Sequence, residues 1–214
     1  VTGNASDPAV LTISETDPYN YGGIVENGTA SHSFTITNGG SFDATSISEL
    51  TLSAPFGFLG GLFPGTGGDC TATLGSGLNC TIVVEFAPTS TGVLSDSITI
   101  SYFDGVNTQS SVRSIQGTGN SPATLTITDG PTYDFGVHLT STLATKTMTV
   151  TNTGQTDATS IVGSGLAAPY DFNGGSFPGT AGNCSGTLTA GSSCSIEISY
   201  NPTAEQIDND TLLI

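Results

Sequence analysis

The sequence predicts an all-β protein made of two copies of one antiparallel β-sandwich, and three observations predict it. The chain repeats itself at a fixed offset, so that Cys70 and Cys80 return as Cys184 and Cys194, each 114 positions later. Apolar and polar residues alternate in short runs, as in strands that bury one face. Turn signals such as residues 38–40, Asn-Gly-Gly, separate these runs, and helical patterns are nearly absent.

The repeat sets the domain organisation. Residues 43–47 and 157–161 share one sequence, as do residues 63–66 and 177–180. A fixed period of this size indicates two units that each bury their own core. We therefore predict domains at 1–119 and 120–214, joined by a short glycine-rich linker at 117–121. About one hundred residues is an ordinary size for a small sandwich.

The alternating runs predict the individual strands. In the first copy, every second residue is apolar in four runs: Leu11 and Ile13; Phe34 and Ile36; Ile82, Val84 and Phe86; Ile98, Ile100 and Tyr102. The second copy repeats the first three runs, and residues 110–116 are expected to form the last strand of the first copy. Several short strands between such turns favour an antiparallel sandwich over a parallel α/β sheet.

The second copy is shorter than the first in this sequence. Ile214 aligns with Ile100, so residues 101–116 have no counterpart, and the second domain is expected to lack its last strand. A missing strand leaves unpaired backbone N–H and C=O groups. We expect either a piece of a longer array or a strand supplied by another molecule. At the other end, residues 2–4 match residues 118–120 and are expected to be the tail of an earlier linker.

The four cysteines predict two disulfide bonds, Cys70–Cys80 and Cys184–Cys194. Each copy must close without its neighbour, and the two pairs have the same spacing. A bridge of this length contributes about 3 kcal/mol in the chain-entropy model. Zinc would need four clustered ligands, and His32 and His138 are not at equivalent positions. Paired cysteines indicate an oxidising compartment outside the cytoplasm.

Composition excludes several partners. The net charge is −16, and Arg113 and Lys146 are the only strong cations in the sequence. Nucleic-acid binding depends on Lys and Arg that neutralise phosphates, so we expect none. An anionic membrane surface is excluded for the same reason. No apolar run approaches the roughly twenty residues that a membrane-spanning helix needs, so no membrane insertion is predicted.

Four segments of the first copy carry a resemblance to a known family. They are residues 63–70, 80–89, 95–105 and 116–119. Here the chain resembles the choice-of-anchor D, or Hydin-like, immunoglobulin-like repeats of large bacterial surface proteins. The resemblance implies two tandem immunoglobulin-like antiparallel β-sandwiches in a secreted or surface-anchored protein, with neighbouring repeats as partners. The second copy departs from the pattern at residues 201–206.

Candidate chemistry is sparse, and we predict no catalytic, cofactor-binding or metal site. Two histidines could serve a catalytic triad and two carboxylate pairs could serve glycoside hydrolysis: His32, His138, Glu15 with Asp17, and Asp208 with Asp210. A strand rim and solvated loops are the better interpretation. Calcium is the stronger alternative, with Asp7, Glu15, Asp129 and Asp134 as ligands, although no loop has EF-hand spacing. Asp43 and Asp157 are expected to order turns.

Three functions follow from these patterns. The leading hypothesis is a non-enzymatic extracellular structural or adhesive module, part of a bacterial surface stalk, fibre or adhesin. The second is a carbohydrate- or protein-binding module that uses exposed loop aromatics, with Phe56, Phe58 and Tyr170 as candidates. The third is an accessory domain of a larger secreted enzyme. The incomplete edge of the second domain could also pair with another copy of the chain.

Overall fold

The computed structural model describes residue 2 and residues 5–214. Gly3 and Asn4 of the predicted earlier linker lie outside the described residues, as does Val1. The chain divides into two compact units, unit 1 at Val1–Asn120 and unit 2 at Ser121–Ile214. The predicted all-β class is confirmed, because the described residues form strands and no helix. With no helix among them, these residues offer no helical segment that could cross a membrane.

Unit 1 is a complete sandwich of two four-stranded sheets. The first sheet has the order β1-β3-β6-β5 and the second the order β2-β8-β7-β4. The strands are β1 (Leu11–Ile13), β2 (Tyr19–Val25), β3 (Ala30–Asn38), β4 (Thr45–Glu49), β5 (Phe56–Phe58), β6 (Asn79–Phe86), β7 (Gly92–Phe103) and β8 (Thr108–Asn120). The core lies between the sheets, where the alternating positions of β3, β6, β7 and β8 bury Phe34, Ile36, Ile82, Phe86, Ile98 and Ile115.

One pairing departs from the antiparallel expectation. Strand β2 runs parallel to β8, with Tyr19 opposite Ile115 and Val25 opposite Asn120. The prediction that residues 117–121 form a linker is also wrong, since β8 continues to Asn120 and pairs with β7 there. Packing against the core requires glycine in this stretch. A Cβ atom on Gly117 would lie 2.5 Å from Cε1 of Phe86, closer than non-bonded carbon atoms approach one another.

Unit 2 rebuilds the first sheet but little of the second. Its strands are β9 (Leu125–Ile127), β10 (Ala144–Asn152), β11 (Ala158–Thr159), β12 (Tyr170–Phe172), β13 (Thr187–Leu188) and β14 (Ser193–Tyr200). The sheet β12-β14-β10-β9 matches β5-β6-β3-β1, and β11 pairs only with β13. Residues 133–139 and 206–212, which align with β2 and the first half of β7, form no strand. Strand structure is therefore absent from more of unit 2 than the unmatched residues 101–116 predicted.

Each unit is organised around one fully buried asparagine. In unit 1 the amide nitrogen of Asn38 donates to the carbonyl oxygens of Phe42 (2.8 Å) and Leu74 (3.0 Å). Its amide oxygen accepts from the backbone N–H groups of Val10 (3.2 Å) and Gly40 (3.1 Å). These four bonds use the polar capacity of the amide and tie three loops to the end of β3.

Asn152 repeats this arrangement in unit 2. Its amide nitrogen donates to the carbonyl oxygens of Thr156 (2.9 Å) and Leu188 (3.1 Å), and its oxygen accepts from Thr124 (3.2 Å) and Gly154 (3.0 Å). The same polar hub therefore holds both units, whether or not the second sheet is present. A buried amide with all of its partners in place specifies one loop arrangement.

Candidate functional site

The cysteines pin one long loop in each unit to the strand that follows it. Cys70 is bonded to Cys80 and Cys184 to Cys194, each with a Cα–Cα distance of 4.9 Å and a sequence separation of 10. No free cysteine is present among the described residues. Each bridge closes within its own unit, so neither depends on the other. The bonded residues belong to the scaffold beside the first sheet.

Side-chain hydrogen bonds reinforce the same loops. Asp69 Oδ1 accepts from the backbone N–H of Thr81 (2.6 Å) and from its hydroxyl (2.9 Å), and these bonds lower the pKa of the Asp69 carboxyl group. Unit 2 has Asn183 in this place, bonded in the same way to Ser195 (2.7 and 3.0 Å). The position is therefore structural, and only unit 1 fills it with a titratable group.

The aspartates expected to order their own turns reach further than predicted. Asp43 Oδ1 accepts from the backbone N–H of Ser76 (3.0 Å), and Asp157 Oδ1 accepts from that of Ala190 (2.9 Å). Each bond spans 33 residues and links two loops. The correction has a simple cause, because the loop before β6 or β14 passes beside this turn and offers a free N–H group.

The histidines stand apart from any nucleophile–base arrangement among the described side chains. His32 stacks on Tyr19 at 4.1 Å between ring centroids, and its Nε2 lies 3.4 Å from Glu15 Oε1. His138 is exposed, with Nε2 2.8 Å from the carbonyl oxygen of Phe135. In unit 2, Lys146 takes the place of His32, with Nζ 3.2 Å from Asp129 and 4.6 Å from the Tyr133 ring centroid.

Three other carboxylates that the sequence singled out accept hydrogen bonds from backbone N–H groups. Asp17 accepts from the N–H of Ser114 (3.0 Å), Asp134 from that of Gly136 (2.8 Å) and Asp210 from that of Ala167 (2.6 Å). Over residue 2 and residues 5–214, no group of three or more His, Cys, Asp or Glu side chains is arranged to hold a metal ion.

The predicted exposed aromatics are corrected by the structure. Phe56 and Phe58 lie in β5 and are buried in the core of unit 1, so they cannot form a sugar platform on the surface. Their glycine-rich surroundings suggested an exposed loop, but the period-two spacing places both rings on the inner face of a short strand. Tyr170 is half-buried and lies in β12, on the floor of an open groove.

The groove in unit 2 is the candidate functional site. It has a volume of about 1140 Å³, and all of its lining residues belong to unit 2. The floor includes Ile127, Met148, Ile198 and Tyr200, which project from the first sheet. Residues 130–140 form one wall and residues 202–212 form the other. An apolar floor between two irregular walls can bury an elongated ligand.

The groove occupies the place that β8 fills in unit 1. The residues that align with its floor are Ile13, Phe34, Val84 and Phe86, and all four are buried in unit 1. There, β8 lies between β2 and β7 and closes the core. In unit 2, Met148, Ile198 and Tyr200 are also buried, with Phe135 and Leu212 packed against their cluster.

Two tyrosines give the groove a polar feature that unit 1 lacks. Tyr170 and Tyr200 stack at 4.8 Å between centroids, as Phe56 and Phe86 do in unit 1. The Tyr200 hydroxyl donates to Asp208 Oδ2 (3.0 Å), and the Tyr170 hydroxyl donates to the Asp208 carbonyl oxygen (3.0 Å). Burial, with the neighbouring Asp208, raises the pKa of the Tyr200 hydroxyl. The Phe-to-Tyr differences between the copies were a visible signal that sequence reasoning missed.

Comparison with known proteins gives distant structural similarity only. No family model and no curated protein matches the chain. The Vibrio cholerae VesB protease matches 52% of this chain at 19% identity and a TM-score of 0.40, and the match spans about a third (32%) of that protein. A Porphyromonas gingivalis protein of unknown function matches 89% of this chain and 83% of its own length, at 9% identity and a TM-score of 0.41.

A third similarity is to a single domain. The PapD-like domain 7 of human CEP192 is 14% identical, with a TM-score of 0.34, and the match covers 57% of this chain and 92% of that domain. At this level of similarity, the role of the chain has to be argued from its own geometry.

Proposed function

We propose that this chain is a non-enzymatic extracellular structural module, two immunoglobulin-like units from a bacterial surface stalk, fibre or adhesin. One observation carries the proposal: a disulfide-pinned loop and a buried asparagine hub are rebuilt at equivalent positions in both units. A module whose units each hold their own loops can be strung in series. Neighbouring repeats are then its first partners, as in the choice-of-anchor D family that the sequence resembles.

Charge and redox chemistry support the extracellular part of the proposal. Both disulfides lie within single units and are stable only where thiols are not kept reduced. A net charge of −16 on 214 residues keeps such a module soluble and discourages contact with its own copies.

Stretching single molecules of the full chain tests this proposal. A disulfide with a sequence separation of 10 removes about 35 Å of extensible chain from each unit. We expect the contour length released when a unit unfolds to increase by this amount after reduction. The variant Cys70→Ser/Cys80→Ser should show the longer release in unit 1 alone. A chain that extends without a resolved unfolding force before reduction would contradict a structural role.

The open groove favours a second candidate, a ligand-binding module. The groove is lined by residues of unit 2, which include Tyr170 and Tyr200. A carbohydrate should then bind to the full chain on a glycan array and be lost with Tyr170→Ala. Binding that survives this change would place the ligand elsewhere. The third role, an accessory domain of a secreted enzyme, stays a prediction from the sequence.

A further inference from the structure

Both units carry a basic side chain, a carboxylate and a tyrosine ring at equivalent positions beside the first sheet. The members of the two clusters correspond at the offset of the repeat: His32 and Lys146, Glu15 and Asp129, Tyr19 and Tyr133. The backbone agrees as well, because Glu15 and Asp129 have positive φ values of 78° and 73°. The basic residue is the main chemical difference. A lysine keeps its charge at neutral pH, whereas a histidine gains or loses its charge between about pH 5 and pH 8.

His32 contacts both other members of its cluster. Its ring stacks on Tyr19 at 4.1 Å between centroids and 21° between planes. Its Nε2 lies 3.4 Å from Glu15 Oε1, and this buried nitrogen has no hydrogen-bond partner among the described residues. A carboxylate oxygen only accepts, so the nitrogen that faces it is best satisfied when the imidazole is protonated and charged. The face of the tyrosine ring favours a cation in the same way.

We propose that His32 is a pH-sensitive switch in unit 1, which on protonation closes an ion pair with Glu15 and fastens β2 to the first sheet. His32 lies in β3 of the first sheet, Tyr19 begins β2 of the second, and Glu15 lies between β1 and β2. The charged cluster therefore joins the two sheets at an edge strand. The inference goes beyond the structural role proposed above and does not depend on it.

Unit 2 contains the same device with its charge fixed. Lys146 Nζ lies 3.2 Å from Asp129 Oδ2 and 4.6 Å from the centroid of the Tyr133 ring. This pair needs no change of pH to form, since the ammonium group is charged throughout the neutral range. Unit 2 is thus an internal reference against which the response of unit 1 can be measured in one molecule.

The charged groups on the neighbouring strands do not compete with this response. On β6 the residue opposite His32 is Val84, which has no charge. On β8 the Arg113 guanidinium lies 4.0 Å from Asp17 Oδ2. Guanidinium and carboxylate groups in general keep their charges above about pH 5.

The tyrosine of the cluster also keeps its state. Burial, with the charge of Glu15, raises the pKa of the Tyr19 hydroxyl, so the ring is neutral throughout the range in which histidines titrate. Exposure limits the size of the effect, because the side chains of His32 and Glu15 are 29% and 38% exposed and water screens their attraction. We therefore expect a shift of a few degrees in the unfolding temperature.

Thermal unfolding of the full chain at about pH 8 and about pH 5.5, followed through NMR signals of each unit, tests the proposal. The charged imidazole stabilises the folded unit, so its contribution is present at the lower pH and is lost as the pH rises. On acidification, the unfolding temperature of unit 1 should rise by about 2–4 °C relative to that of unit 2. Hydrogen exchange, corrected for the intrinsic effect of pH, should show the added protection in residues 19–25.

Exchanging the two basic residues makes the test specific. His32→Lys gives unit 1 the fixed charge of unit 2 and should abolish the pH response. Lys146→His should give unit 2 a response of the same sign. His138→Gln removes the other histidine of the sequence, which is exposed, and is the matched control. It should leave the response of unit 1 unchanged.

The carboxylate provides a second, independent variant. Glu15→Gln keeps the shape of the side chain but removes the charge that pairs with His32, and it should remove most of the response. A response of unit 1 that persists in His32→Lys or in Glu15→Gln overturns the proposal. Equal responses of the two units in the unaltered chain, or a response that disappears with His138→Gln, also overturn it.

Discussion

Unit 1 and unit 2 share one first sheet, one disulfide-pinned loop and one asparagine hub, yet only unit 1 has a full second sheet. The difference is the presence of β8, the strand that hydrogen-bonds both β2 and β7. Residues 133–139 and 206–212 of unit 2, which align with β2 and the first half of β7, form no strand. The comparison shows that the first sheet, the disulfide-pinned loop and the asparagine hub are the features that the two units share.

Truncating the aromatic residue beneath β8 should give the largest contrast between the units. Phe86 is 0% exposed and Tyr200 is 8% exposed beside the groove. We expect Phe86→Ala to lower the free energy of unfolding of unit 1 by about 4 kcal/mol, because a closed core cannot fill the cavity. Tyr200→Ala should cost unit 2 about half as much, measured by chemical denaturation. Equal losses would mean that the groove is closed in solution.

Removing the buried amide should affect the two units alike. Asn38→Ala removes four hydrogen bonds from unit 1 and leaves the N–H groups of Val10 and Gly40 without this acceptor, and Asn152→Ala removes the four equivalent bonds from unit 2. Each change should destabilise its own unit by about 3 kcal/mol. Asn107→Ala, on an exposed side chain, is the control and should change little. A loss confined to one unit would contradict a shared scaffold.

Disulfide removal should also be symmetrical. Cys70→Ser/Cys80→Ser and Cys184→Ser/Cys194→Ser open loops of the same separation, 10 residues. The chain-entropy model gives a loss of about 2.7 kcal/mol for each. Calorimetry of the two double variants should show the unfolding temperature falling in the altered unit only. A fall in both units from one variant would mean that they do not unfold independently.

Acid should destabilise the two units through different carboxyl groups. Backbone N–H groups of Asn107 and Val106 lower the pKa of Asp104, and the hydrogen bonds from Thr81 lower that of Asp69. Both carboxyl groups have an ordinary pKa of 3.8, so their stabilising contribution is complete above that pH and is lost as the pH falls through the lower folded values. Unit 1 should therefore lose stability as the pH drops below about 4.

The variant Asp69→Asn gives unit 1 the residue that unit 2 has at this position. It should keep the stability of unit 1 at pH 7 and reduce its loss between pH 4 and pH 2, followed by thermal unfolding over this range. Unit 2 has its own acid-sensitive group, since hydrogen bonds from Asn173 and Ala181 lower the pKa of Glu197. An unchanged pH profile in the variant would show that the Asp69 bonds add no stability.

The smallest effect should come from the cation that differs between the units. Lys146 lies 3.2 Å from Asp129 and over the ring of Tyr133, but the pair is partly exposed. Lys146→Ala should cost unit 2 about 0.5 kcal/mol, and less at high salt. Lys146→His introduces the residue that unit 1 has at this position. Its stability should lie between that of the unaltered chain and that of Lys146→Ala. A larger loss would show that this pair holds the wall of the groove in place.

The alternation of apolar and polar residues accounts for most of the strands that were predicted correctly. The runs around Phe34, Ile82 and Ile98 predicted the core strands because one face of each is buried against the opposite sheet. Strand β2 was missed, since none of its residues is fully buried and two of them are glycines. Its parallel pairing with β8 depends on contacts across about one hundred residues, which local pattern cannot reveal.

Predictions from local composition were wrong where tertiary packing determines the structure. The glycines of residues 117–119 suggested a linker, but Gly117 is needed against Phe86. Phe56 and Phe58 were assigned to a loop because glycines surround them, although tertiary contacts bury both. The polar Tyr200–Asp208 contact on the floor of the groove could not be predicted, because it depends on how residues 202–212 cross the groove.

The position of β8 has a consequence for how such a unit is made. This strand is the last of unit 1 in the chain but central in its sheet, with Ile115 beside Tyr19. During synthesis, the sandwich of unit 1 cannot close until its final residues are made, and until then its incomplete core faces the solvent. Closing so distant a pair is slow. Nascent units of this kind are thus at their most vulnerable to aggregation and proteolysis just before the C-terminal strand arrives.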